Sequence, residues 1–174
     1  NIEKRKGHDK AIIAFSKVLK EEKDLKFKII GKCKNQDFLD YLKVLVDDLE
    51  LSSSIQFVGY AEDLRKEYHN SDIILSFSEH ESTHLTLFEG LSCGAWPLSR
   101  NWEGVDEFLP GRNIFLDETD FVKKVVSFYS NDITQNLTNV RSLASSVLPK
   151  FSNPDPRKTL SDAILKHYLN FNKQ

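Results

Sequence analysis

Short apolar runs alternating with helix-period stretches constrain this chain more than any other feature. Leu25-Lys26-Phe27-Lys28-Ile29-Ile30 alternates and then turns fully apolar, which predicts a strand stopped by Gly31. Ile55 to Gly59, Asp72 to Phe77, Trp96 to Ser99 and Ile114 to Leu116 predict further strands. Ala11, Ile12, Ala14, Phe15, Val18 and Leu19 share a helix face, with Asp9 as the expected cap. Phe38, Leu39, Leu42, Leu45, Val46 and Leu49 form a second apolar stripe, capped by Asn35. Asp63 to Tyr68 and Leu87 to Cys93 predict short helices, the latter ending at Gly94. The tail reads as helical over Asp120–Tyr129, Ile133–Val147 and Arg157–Leu169, with residues 151–156 as a linker before the last helix. Strands that alternate with helices make a parallel sheet, so the predicted class is α/β with a helical C-terminal tail.

The 174 residues suffice for one domain with its own core. A net charge of −2 offers no global attraction to nucleic acid or an acidic membrane. The basic run Lys4-Arg5-Lys6 lacks interleaved aromatics, so no nucleic-acid partner is expected. Cys33 and Cys93 make no disulfide framework, and a reducing compartment is the default. No apolar run approaches transmembrane length. The chain starts at Asn1 and holds no methionine, which reads as part of a longer polypeptide.

Chemistry concentrates in the stretch from Ser78 to Gly94. Glu81 follows a predicted strand, and Glu89 sits in the first turns of the next helix. An ionised carboxylate offers four acceptor sites and suits a vicinal diol. Backbone N–H groups from Ser82 to Leu85 lie at that helix's N-terminus, where orphan donors and the dipole favour phosphate. Lys6 precedes Gly7 and another helix start, and could add a point charge to the same phosphates. In open α/β sheets the ligand crevice lies at this end of the strands. Each feature alone has a plain structural reading: a dipole partner for Glu89, a solvated turn for Lys6-Gly7. Other residues carry paired readings. His80 and His84 flank Glu81, but four-residue spacing serves a metal on a helix, and this stretch is expected to be a loop. Trp102 could stack on an acceptor sugar or pack over the sheet edge. Cys93 reads as a structural thiol, and Glu107 as a cap of the turn after Gly104.

The order of motifs adds a resemblance. Lys6-Gly7 with Ala11 to Phe15, Ile55-Gln56-Phe57-Val58-Gly59-Tyr60 and Tyr68-His69-Asn70-Ser71-Asp72 come first. Glu81 and Glu89 in E-x7-E spacing, Gly94-Ala95-Trp96-Pro97, Gly104 to Glu107 and Gly111-Arg112-Asn113 follow. In this order they resemble the C-terminal, nucleotide-sugar-binding domain of family 4 retaining glycosyltransferases of the GT-B fold. The resemblance implies a Rossmann-like donor half spanning 1–174, preceded by an N-terminal half carrying most of the acceptor site. It implies that Glu81 contacts the transferred sugar at the catalytic centre and Glu89 the nucleotide ribose. Lys6 would bind the donor diphosphate, and Ser82, Thr83, His84 and Leu85 would meet sugar and phosphates. Gly31, Gly59 and Tyr60 would line the base pocket. The expected donor is a UDP-sugar or GDP-sugar and the acceptor a glycan or lipid-linked molecule, within polysaccharide biosynthesis. No metal or other cofactor is expected, and D-x-D is missing from the chain. The implied location is cytoplasmic, with peripheral attachment to the inner membrane face through the other half.

This chain departs from the family where glycines usually follow the first glutamate: Ser82, Thr83 and His84 stand there. Side chains at those positions narrow the approach to the sugar or contact it themselves. A non-catalytic binding domain and a nucleotide-sugar epimerase of the same fold are the alternatives.

Overall fold

The computed structural model describes residues 1–82 and 84–151. Its elements follow the expected alternation. They are α1 (His8–Glu21), β1 (Phe27–Ile30), α2 (Gln36–Asp48), β2 (Ile55–Gly59), α3 (Leu64–His69), β3 (Ile73–Ser76), α4 (Leu85–Ser92), β4 (Trp96–Arg100), β5 (Ile114–Phe115), α5 (Glu118–Ser130) and α6 (Ile133–Val147). The fold class is α/β, as read from the sequence. The helix expected over 157–169 lies outside the described residues. Of the expected linker, Phe151 is described, and it is no spacer: its ring packs 4.3 Å from Phe88.

All strand pairs are parallel, but they do not form one continuous sheet among the described residues. β1 pairs with β2, in the register Phe27↔Ile55. β3, β4 and β5 form a second sheet through Ile73↔Trp96 and Ser99↔Ile114. The N-terminal segment runs between the carboxyl ends of the two sheets. The Ile2 N–H donates to the Lys32 carbonyl at 2.9 Å, and the Glu79 N–H donates to the Arg5 carbonyl at 3.2 Å. This segment is a single bridge followed by a 3-10 turn at Lys4–Lys6, so it does not carry a hydrogen-bonded ladder from β1 to β3.

Two apolar clusters hold the layers. One joins α1, α2 and α5 to the strands through Ile12, Val18, Leu42, Ile29, Phe115 and Phe121. The other joins α4, β4 and α6 through Leu87, Leu91, Trp96, Leu143 and Val147. Fully burying one such side chain contributes roughly 1.5–3 kcal/mol, so these faces decide where the helices lie. Phe77 contacts both Phe115 and Phe121, at ring separations of 4.7 and 4.9 Å. Phe77 directly follows β3, so that aromatic group forms a floor at the start of the loop that carries Glu81.

Capping follows the sequence except at the candidate site. Asn35 accepts from the Phe38 N–H, Asp63 from Lys66, Asp117 from Asp120 and Asp132 from Thr134. Asp9, the expected cap of α1, instead lies inside the first turn, and Gly7 occupies the cap position. The reason is steric. Gly7 has φ +65°, and a Cβ there would meet the Phe77 carbonyl oxygen at 2.5 Å. A glycine at this position lets the chain turn against the end of β3 and sets the start of α1 two residues earlier.

Candidate active site

The Gly7 contact brings Lys6 over the end of β3. Its Nζ donates to Glu81 Oε1, and Arg5 Nη1 lies 3.7 Å from the same oxygen. The Glu81 side chain is only 10% exposed. Burial works to raise its carboxyl, but bonds from Lys6 and Ser78 and the nearby His84 outweigh it and hold it below the usual carboxylate range. Glu81 is therefore an anion at neutral pH, already partnered by the lysine that the sequence assigns to phosphate. Beside it, Glu79 pairs with Lys10 and sits 3.7 Å from Arg100.

His84 is the cap residue of α4 and lies in the left-handed region, at φ 47° and ψ 59°. A glycine would hold that shape without the cost of roughly 1–2 kcal/mol that an L-residue meets there. The position expected to be glycine thus keeps a glycine-like backbone while carrying an imidazole. The residue is half-buried, and its Nδ1 is buried without a hydrogen-bond partner. Burial lowers its pKa, with Glu81 opposing and Lys6 and Arg5 reinforcing, so His84 is neutral at pH 7. Ser82 and Leu85 are exposed beside it, while Thr83 lies outside the described residues.

No side chain caps α4 or α1. Among the described residues, the other four α-helices each carry an Asp or Asn cap bond. The two uncapped starts are the two that flank Lys6 and Glu81. Their first-turn N–H groups are donors with no intrahelical partner.

Glu89 lies one turn into α4. Its Oε2 accepts from Tyr68 Oη at 2.8 Å. Gly90, beside it, lets α4 press onto β3, because a Cβ there would fall 2.2 Å from Ile74 Cγ1. At the ends of β1 and β2, Gly31 donates its N–H to the Gly59 carbonyl at 2.7 Å. Tyr60 is 67% exposed, with Lys32 Nζ 4.5 Å from its ring centroid. A cleft of about 360 Å³ opens on this side, lined by Ile2, Lys4, Lys32, Asn35 and Phe38 among others. The structure thus brings Lys6, Glu81 and His84 together, and groups Gly31, Gly59 and Tyr60 at the neighbouring strand ends.

Trp102 takes the packing alternative. It is 7% exposed and its Nε1–H donates to Ser99 Oγ at 3.3 Å. Sequence reasoning missed Arg5, Ser78 and Tyr68 as partners of the two glutamates. Arg5 was visible in the basic run. Tyr68 was visible at the head of a motif, but nothing local ties it to Glu89, twenty-one positions away.

The model of the family described as glycosyl transferases group 1 matches residues 1–136. This chain belongs to that family. As a glycosyltransferase domain it shares its fold with several solved structures. The C-terminal domain of a glycosyl transferase group 1 family protein (LpcC) from Francisella tularensis superposes with a TM-score of 0.75 at 21% identity, covering 86% of this chain and 82% of that one. HepE of Anabaena, solved in complex with UDP and glucose, gives 0.74 at 14% identity, covering 95% and 46%. A mutant TarM of S. aureus, solved with Fondaparinux, alpha-GlcNAc-glycerol and UDP, gives 0.72 at 19% identity, covering 92% and 31%. This chain therefore spans less than half the length of the latter two. Among curated proteins, none matches it. No helix among the described residues is long and apolar enough to cross a membrane.

Proposed function

We propose that this chain is the donor-binding half of a family 4-type retaining glycosyltransferase. The complete enzyme would take a UDP-sugar or GDP-sugar and pass the sugar, with retention, to a glycan or lipid-linked acceptor. One observation carries the reading: the two uncapped helix starts both open beside Lys6 and Glu81. Such N–H groups and their dipoles attract a diphosphate, and Lys6 adds a full charge. A diphosphate arriving at Lys6 would compete with Glu81 for it and release that carboxylate toward the transferred sugar. Glu89 would accept from the ribose hydroxyls, while Gly31, Gly59 and Tyr60 would face the base. Fixed dipoles and a lysine can stabilise the departing diphosphate without a metal. An oxygen of that leaving group would take the acceptor proton, so no dedicated basic side chain is required. The UDP in the HepE and TarM structures supports a nucleotide as a ligand of proteins that share this fold. The expected location is the cytoplasm, with the inner membrane face reached through the rest of the enzyme.

Calorimetry with UDP and GDP, each with and without chelator, tests the donor site. Heat with at least one nucleotide, unaltered by chelator, is expected. No heat with either, or binding abolished by chelator, refutes the metal-free site.

His84 favours a second reading, a binding domain without turnover, because its ring fills space that glycine leaves open. Transfer or donor hydrolysis by the complete enzyme excludes that reading. Turnover independent of any acceptor would instead indicate an epimerase.

A further inference from the structure

Tyr68 stands out among residues to which no role has been given. It is 9% exposed, yet its hydroxyl reaches out of α3 to the Glu89 carboxylate at 2.8 Å. The side chain of Thr86, one turn before Glu89 on α4, works weakly against the rise in the Tyr68 pKa. The residues on either side of Tyr68 fix α3 in place. Glu67 Oε2 pairs with Lys28 Nζ of β1 at 2.8 Å, and His69 Nδ1 lies 3.1 Å from the Cys93 carbonyl oxygen at the end of α4. The phenol therefore comes from a support tied to both a strand and the helix that carries its partner. Burial first, and Glu89 second, push the Tyr68 pKa up, so the hydroxyl keeps its proton and acts as donor throughout the working range.

The geometry points to Tyr68 as a positioning residue that holds the Glu89 carboxylate in the orientation needed to accept from the two hydroxyls of a nucleotide ribose. This rests on the donor-site reading above. A carboxylate with one oxygen engaged by a phenol keeps its second oxygen, and one lone pair of the first, for incoming donors. Because the phenol is neutral, it orients Glu89 without cancelling the charge that a diol would meet. The ribose reaches a carboxylate already set in place, which lowers the ordering cost of binding.

The test is a set of affinities for UDP, GDP and their 2′,3′-dideoxy forms, measured on wild type, Tyr68→Phe, Glu89→Gln and the double variant. Phenylalanine keeps the buried ring, and thermal melts check that the fold is intact. Tyr68→Phe should weaken binding of the preferred ribonucleotide roughly 3- to 10-fold, the range of one hydrogen bond. Binding of its dideoxy form should not change. The double variant should bind no more weakly than Glu89→Gln alone, because the tyrosine acts through that carboxylate. Unaltered ribonucleotide binding by Tyr68→Phe overturns the assignment, as does an equal loss for both forms. If wild type fails to distinguish ribose from dideoxyribose, the ribose role of Glu89 itself falls, and the role of Tyr68 with it.

Discussion

The two glutamates of the site lie eight positions apart, yet they are held in opposite ways. Glu81 ends a loop over an aromatic floor and is paired with Lys6, with Arg5 close by. Glu89 rides on a helix and is held by a neutral phenol. An ion pair neutralises its carboxylate, whereas a phenol hydrogen bond orients a carboxylate and leaves its charge available. Without ligand, Glu81 is thus occupied and Glu89 is ready. On the proposed donor-site reading, the nucleotide end would be pre-arranged, while the sugar end would form by exchange of partners at Lys6.

The strongest way to break this contrast is Glu81→Ala in the complete enzyme. Groups that act mainly at the reacting centre affect kcat more than ground-state binding. Turnover should fall about 100-fold or more, equivalent to ~2.7 kcal/mol. UDP or GDP affinity should stay equal or tighten, since Lys6 loses its competitor. Full turnover in the variant would refute the sugar-site role, and weakened nucleotide binding would refute the competition.

Packing supplies the next test. Gly90→Ala drives a methyl into Ile74 and must displace α4. Overpacking of this kind costs about 1–3 kcal/mol, so a thermal melt should move down by several degrees. Nucleotide affinity should fall with it, because Glu89 moves with the helix while Glu81 is carried by the loop before it. An unaltered melt would mean that β3 does not fix the position of α4.

The smallest effect is a pH dependence confined to Glu81. Its folded pKa is lowered, so the stability it contributes is present above the ordinary carboxylate value and is lost as pH falls through the folded value. Wild type should exceed Glu81→Gln in stability at neutral pH, with the margin shrinking below about pH 4.3. Denaturant melts at several pH values would show it. A margin that grows on acidification would contradict the ion-pair account.

Much of this molecule was legible beforehand because its information is local. Apolar periods marked α1, α2, α5 and α6 and the strands, and Asn35 declared a helix start by its own chemistry. Lys6, Glu81 and Glu89 were visible through spacing and motif order. Asp9 misled because a good cap residue loses to a steric demand made by Phe77, seventy positions on. Trp102 was ambiguous because an aromatic residue in a loop between polar neighbours fits a cleft or a core equally well, and its burial and bond to the Ser99 hydroxyl decide for the core.

By itself, the sequence determined the α/β alternation, the element boundaries to within a few residues, and the chemical kinds of group gathered at the strand ends. Periodicity, caps and turn residues act within a few positions, so they can be read in order along the chain. Only the tertiary structure decided that Lys6 meets Glu81, that Tyr68 holds Glu89, that His84 keeps a glycine-like backbone, and that β1–β2 and β3–β5 form separate ladders. Most of those outcomes depend on residues far apart in the chain, whose approach is read in the packed layers, as where Gly7 meets Phe77 and Gly90 meets Ile74.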